Sequence, residues 1–341
     1  MTVLSFKPKQ VSKRLLASLP EKARDVLTKR FGLGEKTERL TLEAIGKEYG
    51  ITRERVRQIE SFAINLVKKS KSFEKEKAAF DELYKTVIDL GGIVSEEDLL
   101  KHLSKDDGSK NHIYFMLVLG DAFQKEKESE QFKHRWVVDK ETADKVHQSL
   151  KKIYEGLTDN DIMPEGDMVA SFLDHLKDVS EKYKNEEILK RWLLVSKKLG
   201  KNELGEWGLS DSPHIRARGI RDHAYLVIRR HGNPMHFTEV AKSISKLFSI
   251  KAHVATCHNE LIKDPRFVLV GRGLYALSEW GYVNGVVKDV IREILKEKSL
   301  SKDEIVDKVM KERYVKKNTI IVNLQNSKFF KKDKAGKYSL V

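Results

Sequence analysis

Between residues 41 and 63 the apolar positions recur with the period of a helix, interrupted once. Leu42, Ile45 and Tyr49 form one stripe, and Val56, Ile59 and Ala63 form a second. That spacing predicts two amphipathic helices, each burying one face. Gly50 lies between them, where a short turn needs a residue that tolerates φ > 0. Gly46 is small enough for two crossing helices to approach closely, and Thr52 is a suitable N-cap for the second helix. The polar positions of that second helix are Arg53, Glu54, Arg57 and Gln58. Arg53 and Arg57 are four apart and project from one side. Arginine suits guanine O6/N7, Gln suits adenine and Glu accepts from cytosine N4, so the face is chemically fit to read a DNA major groove.

Downstream, the pattern repeats four times in units of roughly 60–70 residues. Each unit has about three helical stretches and then two strand-like runs separated by a polar turn. These endings fall at Ala122–Val138, Leu193–Leu209, Arg266–Leu277 and Lys328–Val341. A hairpin behind three helices predicts the wing of a winged helix. The first two copies are degenerate, and a plain helical bundle is the alternative for 73–212. In the third unit Thr238 is expected to cap a helix running through Glu239, Val240 and Ile244. A further helix is expected from about Lys251 to Ile262. Arg266 and Arg272 flank the wing, and Tyr275 and Trp280 pack in its core. The expected divisions are 1–72, 73–145, 146–212, 213–283 and 284–341.

Charge changes the picture, because it is unevenly spread. The net charge is +14, enough to attract polyanions. Residues 13–70 carry 14 Lys+Arg against 8 Asp+Glu; 213–283 carry 11 against 5, and 284–341 carry 15 against 8. Between them, 73–145 carry 12 against 17 and 146–212 carry 10 against 13. Phosphates attract the ends and repel the middle. DNA contact is expected at both ends, with protein contact or spacing between.

Two stretches resemble known families. Leu19–Leu33, Leu40–Gly46 and Thr52–Glu60 occur in the order and spacing of region 4 of the sigma-70 family, and the resemblance covers roughly residues 13–70. In that family the module reads the −35 promoter element and docks on the flap of the RNA polymerase β subunit. The resemblance implies that Arg53, Glu54 and Arg57, with Gln58 beside them, read bases. It also implies that Thr41, Lys47, Thr52 and Arg55 position the helix or contact phosphate. No aromatic-rich promoter-melting segment accompanies it, so the chain is expected not to open DNA unaided. The second stretch, Arg221–Ile244 with Pro265–Trp280, is similar to the HARE-HTH domain. That winged-helix family includes the N-terminal domain of the RNA polymerase δ subunit and occurs in restriction and chromatin proteins. It has no single set of binding residues; Lys251, His253 and Arg272 are the DNA contacts expected from the chain itself.

Other constellations are weaker. Gly32-Leu-Gly-Glu-Lys-Thr37 lacks the Gly-Lys-Thr adjacency and the preceding buried strand of a phosphate loop. His253, Cys257 and His258 are too few for zinc in a chain with one Cys. No nucleophile and base pattern stands out, so no enzyme activity, small-molecule substrate, cofactor or metal is expected. One Cys, no signal-peptide core and no apolar run of about 18 residues lead to the expectation of a cytoplasmic protein outside the membrane.

The expected fold is mainly α, with tandem helix-turn-helix and winged-helix modules and short β-hairpin wings. The expected function is a bacterial transcription factor that binds promoter-type duplex DNA and RNA polymerase. Two alternatives stand beside it: a δ-like polymerase accessory subunit acting by protein contact, and the DNA-binding component of a modification or restriction system.

Overall fold

The computed structural model describes residues 4–176, 179–282 and 285–341. Its contacts divide the chain into two compact units, residues up to 201 with 205–211, and residues 202–204 with 212–341. Among the described residues it is mainly α, with small three-stranded antiparallel sheets.

The first unit opens with α1 (Pro8–Leu16), α2 (Glu21–Phe31), α3 (Leu42–Tyr49) and α4 (Arg53–Lys68). The short α5 (Lys71–Lys75) leads into α6 (Lys77–Asp89), β1 (Ile93–Ser95), α7 (Glu96–Leu103), α8 (Asp107–Leu119), β2 (Gln124–Glu126) and β3 (Arg135–Val137). Then follow α9 (Lys140–Gly156), β4 (Ile162–Pro164), α10 (Glu165–His175), α11 (Glu186–Leu193), β5 (Leu199–Lys201) and β6 (Glu206–Leu209). The sheet orders are β1-β3-β2 and β4-β6-β5. Segment 73–212 therefore contains two small sheets, which the helical-bundle alternative does not.

A short strand precedes the second helix of each repeat, and the sequence reading did not include it. Each central strand carries an aromatic residue at the same register: Trp136 faces Val94, and Trp207 faces Met163. Trp136 Nε1 donates to Glu96 at 3.0 Å and Trp207 Nε1 donates to Glu165 at 3.3 Å. Each glutamate is the first residue of its helix and also pairs with a lysine from the hairpin, Lys125 or Lys201. This shared Glu–Lys–Trp arrangement makes the two degenerate units structural copies of one another.

Helix α8 is buried on most sides, because Asn111, His112, Ile113, Phe115, Met116, Leu117 and Leu119 are all inaccessible. It packs against α1, α2 and α4, and one core joins Leu15, Leu27 and Val67 to Phe115 and Trp136. Phe31 and Phe115 rings lie 5.1 Å apart. Asn111 satisfies the end of α2: its Nδ2 donates to the carbonyls of Gly32 (3.1 Å) and Thr37 (2.7 Å), and its Oδ1 accepts from Arg39 Nε at 2.7 Å. Helix α9 runs across the expected division at 145/146. Its His147 accepts from Arg135 Nε of β3 at 2.7 Å. Burial, with the Arg135 charge beside it, pushes the His147 pKa down to about 4 and keeps the ring a neutral acceptor.

The second unit holds α12 (Ile220–His231), β7 (Met235–His236), α13 (Phe237–Phe248), α14 (Val254–Lys263), β8 (Phe267–Leu269) and β9 (Leu274–Leu277). It continues with α15 (Val287–Ile294), β10 (Leu300–Ser301), α16 (Lys302–Glu312), α17 (Lys317–Leu324), β11 (Phe330–Lys332) and β12 (Lys337–Leu340). The sheets order as β7-β9-β8 and β10-β12-β11, with Tyr275 and Tyr338 at the register of the two tryptophans. Two expectations need correction. Helix α13 is capped by His236, whose ring accepts from Thr238 N, so Thr238 is the second helical residue and not the cap. Helix α14 starts at Val254; Ser249 takes a left-handed φ of 52° and His253 is extended, which keeps Lys251 outside it.

Candidate nucleic-acid interface

Local chemistry positions α3 and α4. Thr41 Oγ1 accepts from Ala44 N at 3.1 Å, and Thr52 Oγ1 accepts from Arg55 N at 3.2 Å, so both helices start at a side-chain cap. Gly50 closes α3 in the left-handed conformation at φ 63°. A Cβ on Gly46 would lie 2.6 Å from the Ile51 carbonyl oxygen, so only glycine allows the chain to cross so tightly. Val26, Ile45 and Val56 are fully buried beneath the turn. They fix the angle at which α4 leaves the module.

The opposite side of α4 is open. Arg53, Glu54, Arg55, Arg57 and Gln58 are all exposed on its first two turns, beside exposed Thr41, Lys47 and Thr52. A shallow groove of about 550 Å³ lies along the turn, lined by Lys47, Gly50, Thr52, Arg53 and Arg55 among others. The structure therefore brings together all eight residues that the sequence marked in this module.

These side chains are ordered by one another. Arg57 donates through Nε (2.9 Å) and Nη2 (2.7 Å) to the two oxygens of Glu54. Arg55 Nη1 donates to Gln58 Oε1 at 3.0 Å. Lys47 pairs with Glu43 at 3.3 Å. The Arg57 bond holds the Glu54 carboxyl below its usual range, and the same bond raises Arg57. A guanidinium held by Nε and Nη2 still presents two parallel N–H groups along its Nη1/Nη2 edge. That edge matches the two acceptors of guanine. Glu54 therefore orients Arg57 without consuming the edge that reads a base.

In the second unit Lys251, His253 and Arg272 are also exposed. Lys251 and His253 precede α14, and Arg272 lies in the β8–β9 turn. Arg266 is engaged instead in ion pairs with Asp222 (2.9 Å) and Asp264 (2.6 Å). Tyr275 is buried and Trp280 packs on the Val268, Val270 and Ala276 cluster. Cys257 is fully buried, with its thiol pushed up to about 11 by that burial, while His253 faces solvent. His253, Cys257 and His258 do not converge, and among the described residues no group of three or more His, Cys, Asp or Glu could hold a metal ion. Among the described residues no helix is long and apolar enough to cross a membrane.

The sequence reading missed which third helices are available. In the two middle repeats they are consumed by packing: α8 is buried against α1, α2 and α4, and α11 packs on β1, with Arg191 bonded to Asp98 at 2.6 Å. The apolar run Ile113–Leu119, with almost no polar face, was the available signal.

Capped helices, a glycine turn and an exposed Arg/Glu/Gln face define the class of the first module: a DNA-binding type of helix-turn-helix related to that of sigma factors. Residues 15–69 match the family model "Sigma-70, region 4", and residues 219–280 match the HARE-HTH model, the ASXL and restriction endonuclease HTH domain. Similar curated proteins include the RNA polymerase sigma factor RpoS of Coxiella burnetii, 57% identical over 51 residues, which are 15% of this chain and 14% of that protein. The RNA polymerase sigma factor RpoD of Helicobacter pylori is 54% identical over 50 residues, 15% of this chain and 8% of that protein. The sigma factor SigA of a Bacillus species is 50% identical over 50 residues, 15% of this chain and 13% of that protein. The likeness thus spans a small fraction of each of these relatives, and it is confined to the helix-turn-helix.

Proposed function

We propose that this protein is a transcription factor that reads a −35-like duplex element through α4 and works beside RNA polymerase. The observation that carries this reading is the exposed first half of α4, where Arg53, Glu54, Arg57 and Gln58 stand free of the core on a capped helix. It lies within the stretch that is half or more identical to named sigma factors. Arg53, Glu54, Arg57 and Gln58 would take the base edges; Thr41, Lys47, Thr52 and Arg55 would take phosphate or hold the helix in register. The polymerase partner, at the β flap by resemblance, would meet a module whose α1, α2 and α4 are already packed on α8. Contact would then use the α2–α3 side, around Lys22, Asp25 and Tyr49, where a groove of about 530 Å³ remains. The chain itself would perform no chemistry and would act in the cytoplasm. Arg57→Ala tests the reading: it should lose about 1–3 kcal/mol on the preferred site and relax specificity there. Equal binding of all sequences by parent and variant would refute it.

A second reading is favoured by the acidic middle, whose third helices are buried. There the protein is a polymerase accessory subunit acting mainly by protein contact. Polymerase capture that persists without DNA and with Arg53 and Arg57 neutralised would select it.

A further inference from the structure

The positive charge of the last module is segregated. Residues 285–315 carry 8 Lys+Arg against 7 Asp+Glu, whereas residues 316–341 carry 7 Lys against the single Asp333. Nearly all of the excess therefore lies on α17, the link after it, and the β11–β12 hairpin. Buried Ile320, Leu324 and Phe330 pin this face to the module core. Outward on α17 stand Lys317, Asn318, Thr319 and Val322, the last 65% exposed, and the helix contains no acidic residue. Lys331, Lys332, Lys334 and Lys337 are exposed on the hairpin.

Little of this charge is neutralised. Lys317 lies 3.8 Å from Asp303, and Lys332 sits over the Tyr338 ring at 5.8 Å. Lys316, Lys328, Lys331 and Lys334 have no carboxylate partner among the described residues. The other hairpins differ. The β2–β3 segment mixes Lys127 and Lys133 with Glu128 and Glu130; the β5–β6 segment sets Lys201 against Glu203 and Glu206; the β8–β9 turn holds Arg272 alone. Among the described hairpins, this one is uniformly basic apart from one aspartate.

We propose that α17 and the β11–β12 hairpin form a second duplex-DNA contact, one that grips phosphates and does not read sequence. An exposed helix with a basic hairpin fits the wide major groove of B-form DNA and the phosphates flanking it. The deep, narrow major groove of duplex RNA would not admit α17. A membrane surface would call for an apolar face with aromatic or leucine anchors, and α17 exposes only Val322 among its large apolar residues. The lysines are spread over a helix and a hairpin that lack the Arg or Gln pairs that discriminate bases. This contact does not depend on the α4 reading.

The test uses the full chain and a duplex of roughly 25 bp with no preferred motif, titrated between about 50 and 200 mM salt. The variant carries Lys316→Ala, Lys331→Ala and Lys334→Ala together. Three lost phosphate contacts should flatten the slope of log K against log salt by about 2.7, at about 0.9 each, and weaken all sequences alike. The corresponding Lys→Arg variant should bind as the parent does, which separates lost charge from lost folding. The Arg53/Arg57 double alanine variant should keep this salt-steep component even if no motif is ever found, so failure of the α4 reading would not imitate failure of this one. An unchanged slope and affinity in the triple alanine variant would overturn the proposal. So would a variant that loses single-stranded RNA or anionic vesicles while still holding duplex DNA normally.

Discussion

Gly46→Ala sets two effects of known size against each other. Alanine is the better helix former, worth up to about 1 kcal/mol in an unobstructed helix. At position 46, however, the new methyl would sit 2.6 Å from the Ile51 carbonyl oxygen and 3.5 Å from Arg53 N. Ordinary carbon–oxygen contact is several tenths of an ångström longer, and the obstacle is backbone, which cannot rotate away. The Ile51 amide is also tied back to the Gly46 carbonyl at 2.9 Å. Relief therefore requires the turn and the start of α4 to move outward over buried Ile45 and Val56. Overpacking of this kind costs about 1–3 kcal/mol, so it should outweigh the propensity gain and leave a net loss of about 1–2 kcal/mol. Native-state hydrogen exchange of the α3 and α4 amides reads that local stability directly. Because Thr52 and Arg53 ride on the displaced turn, duplex binding should weaken by roughly tenfold, or about 1.4 kcal/mol, with every candidate base-reading side chain still present. Slower α3–α4 exchange together with unchanged DNA affinity would refute the reasoning.

Three further outcomes follow from other contacts. Asn111→Ala takes the side-chain donor from the Gly32 and Thr37 carbonyls and the acceptor from Arg39 Nε, and should destabilise the first unit by about 2–4 kcal/mol in urea unfolding followed by tryptophan fluorescence. Asn111→Asp should be at least as damaging, since a carboxylate cannot donate to those two carbonyls. Glu165 has its pKa lowered from an ordinary 4.5 to about 2, chiefly by the Lys190 hydrogen bond and then by Lys201. A depressed carboxylate stabilises the fold above its unfolded pKa and loses that contribution as pH falls toward 2. Glu165→Gln should therefore be less stable than the parent by about 1 kcal/mol at neutral pH, after allowance for solvent screening, with the gap closing between pH 4.5 and 2 in paired acid unfolding curves.

What the sequence made legible was local. Thr41, Thr52, Gly46 and Gly50 act within a few residues of themselves, so pattern and cap chemistry found the helix-turn-helix and the face that α4 exposes. The strands before each second helix, such as Ile93–Ser95 and Met235–His236, are two or three residues long. No period can emerge from so few positions, and they exist because a central strand with Trp136 or Tyr275 offers an edge to pair with. Thr238 looked like a cap because threonine is a good one, but His236 stands at the end of β7 and its ring reaches the free amide first. The division at 145/146 falls inside α9 for a tertiary reason: the helix is continuous, and Arg135 ties it back to the preceding sheet. The charge map anticipated which third helices stay open, since the two acidic repeats bury theirs.

The central claim is that α4 reads a specific duplex sequence. Selection from a randomised duplex pool near physiological salt, with the parent and with Arg53 and Arg57 both changed to alanine, tests it most directly. The account predicts an enriched motif resembling a −35 element in the parent pool and no enrichment in the double variant. No motif from the parent, or the same motif from both proteins, would contradict it.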